Sequence, residues 1–373
     1  MKRRVVVTGV GVVSGYGVGR KVFWEGIKSG RSAVRAIEWE GWEHAPIQVA
    51  ALVKEKVSVG SWRSLGWARL ACREALEMSG PGNGGGLAGA IGWPGPEEKK
   101  EGHDPLGILG MEFGLEGPRR ESLAACAAST QAVGEAFRMI RAGEVEWMVA
   151  GGADGRGHPG GLLGYDRLGV LARGFRERPE EACQPFGDGR SGFVVGEGAG
   201  FLILEEKERA EKRGVKILAE IRGAAEGCDA WRVTDPREDA VEATACVAAC
   251  LRDAGVEATE VDAVVAHGTG TVANDRAEAK MLREVFGERS PWVIAPKGRI
   301  GHLSMACGAV ESVLAAQSIA ENFLPSTLGK DWRKDLDCPV RMVREKGERG
   351  VRVVLKPSFG FGGQNGCLLF SRG

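Results

Sequence analysis

Three segments of the 373-residue chain carry side chains suited to covalent and hydrogen-bond chemistry. Residues 123–132, LAACAASTQA, set Cys126 among alanines, just ahead of Ser129, Thr130 and Gln131. Residues 265–275, VAHGTGTVAND, put His267 directly after an apolar run and inside a Gly-Thr turn. Residues 296–309, PKGRIGHLSMACGA, put Lys297 and His302 in another turn between an apolar run and a helical pattern. A thiol at a helix start lies near unpaired N–H groups and the positive end of the macrodipole. Both favour the thiolate and can lower its pKa from the free value of ~8.5. In open α/β sheets such strand ends are where ligands bind. Taken singly, the cysteine reads more readily as a buried structural residue, and each histidine equally well as a site residue or a satisfied turn. Their coincidence at three strand ends favours a reactive thiol served by two imidazoles.

To meet, these residues must be carried by strands that end at one place. Apolar runs bounded by glycine predict strands near 5–7, 89–92, 146–151, 192–204, 216–223, 261–266, 291–295, 352–357 and 366–370. Helical spacing covers 62–78, 126–142, 237–254, 274–286 and 306–322, and the 126–142 segment sets Val133, Ala136, Phe137 and Ile140 on one stripe. Alternating strands and helices predict an α/β protein. A faint repeat runs through the chain. Residues 71–80 and 247–256 are helical stretches before a turn and a strand, while 121–143 and 291–322 read as strand then helix. Two similar βαβ halves account for both pairs, residues 1–208 holding the cysteine and 209–373 holding both histidines. The seam lies near the charged stretch EEKERAEKRG, 205–214.

The totals narrow the function further. Lys+Arg and Asp+Glu are equal at 50 each, which lacks the basic excess of a nucleic-acid binder. Nine cysteines, an odd number without dense spacing, argue against a disulfide framework. Cys246 and Cys250, four apart without a nearby histidine, read as helix packing, and no HExxH or CxxC pattern points to a metal. The N-terminal apolar run is interrupted by Thr8, Gly9, Gly11 and Ser14 and reads as a buried first strand, unlike a signal peptide. No apolar stretch reaches the ~18–20 residues that span a bilayer. A soluble cytoplasmic protein is expected.

The ordered motifs resemble those of an elongating β-ketoacyl-acyl-carrier-protein synthase, the decarboxylating branch of the thiolase-like condensing enzymes. RRVVVTGVGVVSGYG resembles that family's first strand, and LAACAAST its active-cysteine elbow. QPFGDGRSGFVVGEGAGFLILEE resembles the segment crossing between the halves. AHGTGT and PKGRIGH resemble the two histidine motifs, and SFGFGGQNG the terminal glycine-rich loop. The resemblance covers nearly the whole chain. It implies a thiolase-like fold, two βαβ halves in a layered α-β-α-β-α arrangement. It also implies decarboxylative Claisen condensation of an acyl thioester with a malonyl unit, in fatty acid or polyketide synthesis.

By the same resemblance, Cys126 is the nucleophile and His267 and His302 assist decarboxylation. Lys297 organises the site, paired with Glu278. The N–H groups of Cys126 and Phe361 form the oxyanion hole, Thr269 and Thr271 hold the phosphopantetheine arm, and Phe361 gates the acyl pocket. No tightly bound cofactor is implied, since acyl carrier protein brings the substrates. A homodimer, or a heterodimer with another condensing subunit, is expected, paired through the apolar strand at 146–151. The chain departs from the family pattern at Ala124, Gly187, Ser191, Met305 and Gln364, and is shorter than a typical member between about 92 and 106. A pocket shortened there is expected either to open toward solvent or, the favoured outcome, to be refilled by bulky residues such as Trp93, Met111 and Phe113. Two rival readings are a thiolase acting on coenzyme A esters and a non-catalytic partner subunit resembling a chain-length factor. The first expects a second catalytic cysteine in the terminal loop, whereas Cys367 falls on the strand after it. The second usually lacks the nucleophile.

Overall fold

The computed structural model describes residues 3–55, 62–96, 98–100, 102–328, 340–348 and 350–373. Ten strands carry the architecture. They are β1 (Val5–Ser14), β2 (Gly86–Ile91), β3 (Arg119–Glu121), β4 (Trp147–Asp154) and β5 (Gly198–Glu206), then β6 (Ala219–Cys228), β7 (Ala263–Val265), β8 (Trp292–Ile294), β9 (Val353–Gly360) and β10 (Gln364–Ser371). Six helices matter to the site: α1 (Arg63–Ser79), α2 (Pro105–Glu112), α3 (Ala128–Ala142), α4 (Val241–Ala254), α5 (Val272–Phe286) and α6 (Cys307–Ala320).

The strands hydrogen-bond in the order β8-β7-β9-β10-β6-β1-β5-β4-β2-β3. Either side of the centre, the plan is the same. From the outside inward come the third, second, fourth, fifth and first strand of that half. In both halves the two outer pairings are parallel and the two inner ones antiparallel. The first strands join antiparallel over Val5↔Ile221, Val6↔Glu220 and Val7↔Ala219. Burial follows from the layers. Helices α3 and α6 pack together and against strands of both halves, while α1 covers β1 and β5 on one outer face and α4 covers β6 and β10 on the other. Strands covered on both faces read as continuous apolar runs, and β4, WMVAGGAD, is buried along its whole length.

The central helices are the apolar heart. Val133, Ala136, Phe137 and Ile140 of α3 are buried, as are most residues of α6. Their close crossing needs a glycine, because a Cβ on Gly308 would sit 2.1 Å from Thr130 Oγ1. Cys246 and Cys250 are buried on α4, and Cys367 is buried in β10.

Two expectations are corrected here. Strand β4 has hydrogen-bonded neighbours along both edges, β2 and β5, so it cannot pair with a second subunit. An apolar run marks burial, and this one is buried inside the subunit. The strand at that end of the sheet is β3, whose Arg119, Arg120 and Glu121 are exposed. Nor do the proposed bulky fillers line the cavity that reaches Cys126. Trp93 is 53% exposed and stacks on Trp62 with ring centroids 6.1 Å apart, Met111 is 80% exposed, and Phe113 packs beside the core around β2.

Candidate active site

Cys126 lies in a tight turn (Ala125–Ala127) that runs straight into α3. The residue before it, Ala125, has φ 49°, a left-handed conformation that a side chain resists. The second half repeats the device, with Ser304 at φ 48° opening the turn Ser304–Ala306 before α6. Met305 is therefore the counterpart of Cys126. Such strain persists only where the surroundings hold it. Here Ser129 Oγ accepts the N–H of Ala309 at 3.0 Å, and Thr130 Oγ1 lies 2.6 Å from Ser358 Oγ. The first bond fastens the two helix starts face to face, and the second ties α3 to β9.

The terminal loop closes over the cysteine. A Cβ on Gly360 would meet Ala124 O at 2.7 Å and Cys126 N at 3.1 Å, so only glycine lets the loop come this near. The N–H of Phe361 is directed at the Cys126 thiol. The N–H of Cys126 falls in the first turn of its helix and has no intrahelical acceptor. Two main-chain donors thus stand beside one sulfur. The expected acidic thiol is corrected, since burial pushes Cys126 up to about 11. The charges of Lys297 and Arg156 and the Phe361 N–H act the other way, but do not outweigh it.

Both imidazoles line the cavity that reaches Cys126. Their ring centroids are 5.6 Å apart, with the planes perpendicular. Nδ1 of His302 accepts the N–H of Ser304 at 2.9 Å and lies 3.3 Å from Cys307 Sγ. Nδ1 of His267 lies 3.3 Å from Lys297 Nζ, which also donates to the carbonyl of His267. With donors on both Nδ1 atoms, the proton of each neutral ring belongs on Nε2. Burial, and then the charge of Lys297, drives both histidines well below their ordinary value.

Lys297 is buried, and its ion-pair partner is corrected from Glu278 to Glu311 on α6. Glu311 also pairs with Lys356 of β9 at 2.9 Å, so one buried carboxylate serves two buried ammonium groups. Its charge, among others, holds Lys297 above the usual lysine range against the effect of burial. Glu278 is occupied elsewhere. Its oxygens accept the N–H groups of His267 and Gly268, each at 2.7 Å. Asp275, one turn earlier on α5, accepts those of Thr269 and Gly270. Helix α5 therefore shapes the 267–271 turn by sending two carboxylates back under it.

Neither Glu311 nor Lys356 emerges from motif spacing. A signal was present, though: a single carboxylate in the apolar AVESVLAA and a single lysine in VVLKPSF. Buried charges require each other. Thr269 and Thr271 have their Oγ1 atoms 2.8 Å apart at the start of α5, and both line the cavity, as does half-buried Phe361. This cavity of about 290 Å³ brings together Cys126, His267, His302, Thr269, Thr271 and Phe361, with Lys297 and Glu278 behind them.

Comparison with known proteins agrees in family and fold. The Beta-ketoacyl synthase N-terminal domain matches residues 2–63 and 105–210, and the Beta-ketoacyl synthase C-terminal domain matches 218–331. The break between 63 and 105 overlaps the stretch, about 92 to 106, where the chain is expected to be short. A 3-oxoacyl-[acyl-carrier-protein] synthase 2 of Coxiella burnetii is 34% identical over 411 aligned positions, covering 100% of this chain and 99% of that one. A ketosynthase bound to the hexaketide, in complex with its type II PKS acyl-carrier protein, superposes with a TM-score of 0.90 at 28% identity, both chains covered in full. The ishigamide ketosynthase/chain length factor gives 0.89 at 29%, again over 100% of both chains.

Proposed function

The chain belongs to the β-ketoacyl synthase family, and from that premise we propose that its cavity performs decarboxylative Claisen condensation on thioesters carried by the phosphopantetheine arm of acyl carrier protein. In the first half-reaction Cys126 sulfur attacks the acyl carbonyl carbon. The carrier thiolate leaves and takes up the proton that the cysteine gives away, so an acyl-enzyme and a free carrier thiol result. The N–H groups of Cys126 and Phe361 receive the carbonyl oxygen as it becomes negative. In the second, a malonyl thioester loses its carboxylate as carbon dioxide, and the electron pair moves onto the thioester as an enolate. The enolate carbon attacks the acyl group on Cys126. The cysteine thiolate departs, takes up a proton, and leaves a β-ketoacyl carrier.

The observation that carries this reading is the pair of neutral imidazoles. Each has its Nδ1 occupied, which leaves Nε2–H as the donor for the enolate oxygen. A neutral donor suits an oxygen that must later release its charge to form a bond. Lys297, held by Glu311, fixes His267 through its ring and its carbonyl. Thr269 and Thr271 would bind the phosphopantetheine arm, and Phe361, flanked by Gly360 and Gly362, would swing to admit the acyl chain. The two sections of one plan would divide as residues 1–208 and 209–373, the order of strands being the support. The same reading brings a cytoplasmic setting and a dimer. A homodimer is the first choice, and a heterodimer with another condensing subunit the second, as in the ketosynthase/chain length factor above. A non-catalytic partner would leave the thiol, both imidazoles and Lys297 without employment.

Intact mass after incubation with an acyl thioester tests the reading. The wild type and Cys307→Ala gain one acyl group, and Cys126→Ala gains none. Acylation of Cys126→Ala at the wild-type level would refute it.

A further inference from the structure

His302 takes its orientation from the turn that follows it. Nδ1 of the ring accepts the N–H of Ser304 at 2.9 Å, and this contact leaves the ring proton on Nε2. The N–H points there because Ser304 sits at φ 48°. A side chain resists that conformation, so its neighbours must hold it. In the first half the matching position is Ala125, which has no polar side chain to be held. In the second half it is a serine, and its hydroxyl is engaged.

Ser304 Oγ lies 2.8 Å from the hydroxyl of Tyr165. Arg156 Nη1 donates to that same hydroxyl at 2.7 Å, which leaves the phenol's own proton for the serine. Burial pushes the phenol above its ordinary value, so this proton stays in place. Arg156 Nε in turn lies 3.6 Å from Asp154, wholly buried at the end of β4. Asp154 accepts the N–H of Met305, the next residue of the turn, at 3.4 Å. One segment, from the end of β4 into the short helix Pro159–Arg167, thus grips two successive residues of the turn. The tyrosine ring is supported separately, edge-on to Phe193 at 5.3 Å. Phe193 packs on the His302 ring with centroids 4.7 Å apart. Hydroxyl and ring can therefore be tested apart.

We propose that Tyr165 is a positioning residue for condensation: its hydroxyl, held by Arg156, fixes the Ser304 turn and through it the orientation and tautomer of His302. It acts through the turn, without contact with substrate. This rests on the condensing reading above, in which Nε2–H of His302 receives the enolate oxygen. The effect falls on the malonyl half-reaction, because acylation of Cys126 uses main-chain donors that this segment does not hold.

The test uses Tyr165→Phe, which keeps the ring and removes the hydroxyl, and Ser304→Ala, which removes its partner. Alanine already occupies the matching strained position of the first half, so the backbone tolerates the second change. Carbon dioxide release from a small-molecule malonyl thioester and acylation of Cys126 by a butyryl thioester are followed separately. Nitrogen NMR of histidine-labelled protein reports the tautomer, the His302 signals being those lost in His302→Ala. Each variant should release carbon dioxide about tenfold more slowly, the scale of one hydrogen bond, with acylation close to the wild-type rate. The double variant should be no slower than the slower single one, since both changes remove the same contact. His302 should carry its proton on Nε2 alone in the wild type and show both tautomers in the variants. Release at the wild-type rate in both variants, equal slowing of release and acylation, additive losses in the double variant, or an unaltered tautomer in both variants would overturn the inference alone. A wild type that is never acylated and releases no carbon dioxide would overturn the condensing reading and this inference with it.

Discussion

Replacing Glu311 by glutamine should damage the protein twice over. The carboxylate is buried between Lys297 and Lys356, both wholly buried. Glutamine keeps the shape and one acceptor but removes the charge that two ammonium groups share. Breaking a buried pair from one side costs about 3–5 kcal/mol, since the surviving charge is left unpaired. Glutamine's carbonyl recovers part of that, so about 3 kcal/mol is expected. For a chain of this length each kcal/mol lowers the melting midpoint by about 2 °C, which gives a fall of about 6 °C. Lys297 also loses the anchor that holds it against His267 Nδ1 and the His267 carbonyl. A shift of about 1 Å in a positioned group can cost ~10²-fold in rate. Scanning calorimetry gives the midpoint, and carbon dioxide release from a malonyl thioester, followed separately from acylation of Cys126, gives the chemistry. Decarboxylation should fall by ~10- to 100-fold, with acylation much less affected. An unchanged midpoint together with unchanged release would refute the argument.

Three other outcomes are expected. In His302→Ala, carbon dioxide release should drop by ~10²–10³-fold, the usual cost of one oxyanion donor, while Cys126 is still acylated; release at the wild-type rate would remove the proposed role. Because both histidines are driven well below their ordinary value, they stay neutral as pH falls through ~6.5. Decarboxylation should therefore lack an acid limb at that pH. Stability should decline below it, because the unfolded chain then binds protons that the folded chain refuses; a bell-shaped rate profile with a limb near 6.5 would contradict this. In Gly360→Ala the new methyl would collide with Ala124 O and crowd Cys126 N, so acylation should slow by ~10²-fold as the Phe361 donor is displaced; an alanine variant of normal rate would show that the loop does not set the oxyanion hole.

The segments that line the cavity were readable because each is local, a strand end running into a turn of distinctive residues. Cys126, His267 and His302 meet in one cavity, as their placement at strand ends leads one to expect. What escaped was set by partners distant in the chain. Glu278 looked like the natural mate of Lys297, yet it is nearer in sequence to the turn it stitches, and Glu311 arrives from the other side on α6. Strand β4 shows the limit of apolarity as a guide. A continuous apolar run reports that both faces are covered, without saying whether a helix or another subunit covers them. Trp93 and Met111 illustrate the reverse error, since a large apolar residue in a glycine- and proline-rich loop, or on the outer face of the short helix α2, remains largely exposed. The support of the Ser304 turn could not be foreseen either. Arg156 and Tyr165 stand nine residues apart in a loop and a short helix, and only the fold brings Tyr165, held by Arg156, against Ser304. The elevated thiol has the same origin, because burial is a property of the folded layers and the helix start alone points the other way.

The central claim is that this one thiol carries the acyl group through carbon–carbon bond formation. The direct measurement is mass analysis of carrier protein after acyl-loaded enzyme meets malonyl carrier. The wild type should yield a β-ketoacyl carrier longer than the primer by the two carbons of the malonyl unit. Cys126→Ala should yield none, although its histidines can still release carbon dioxide. Elongated product from Cys126→Ala, or none from acylated wild type, would contradict the account.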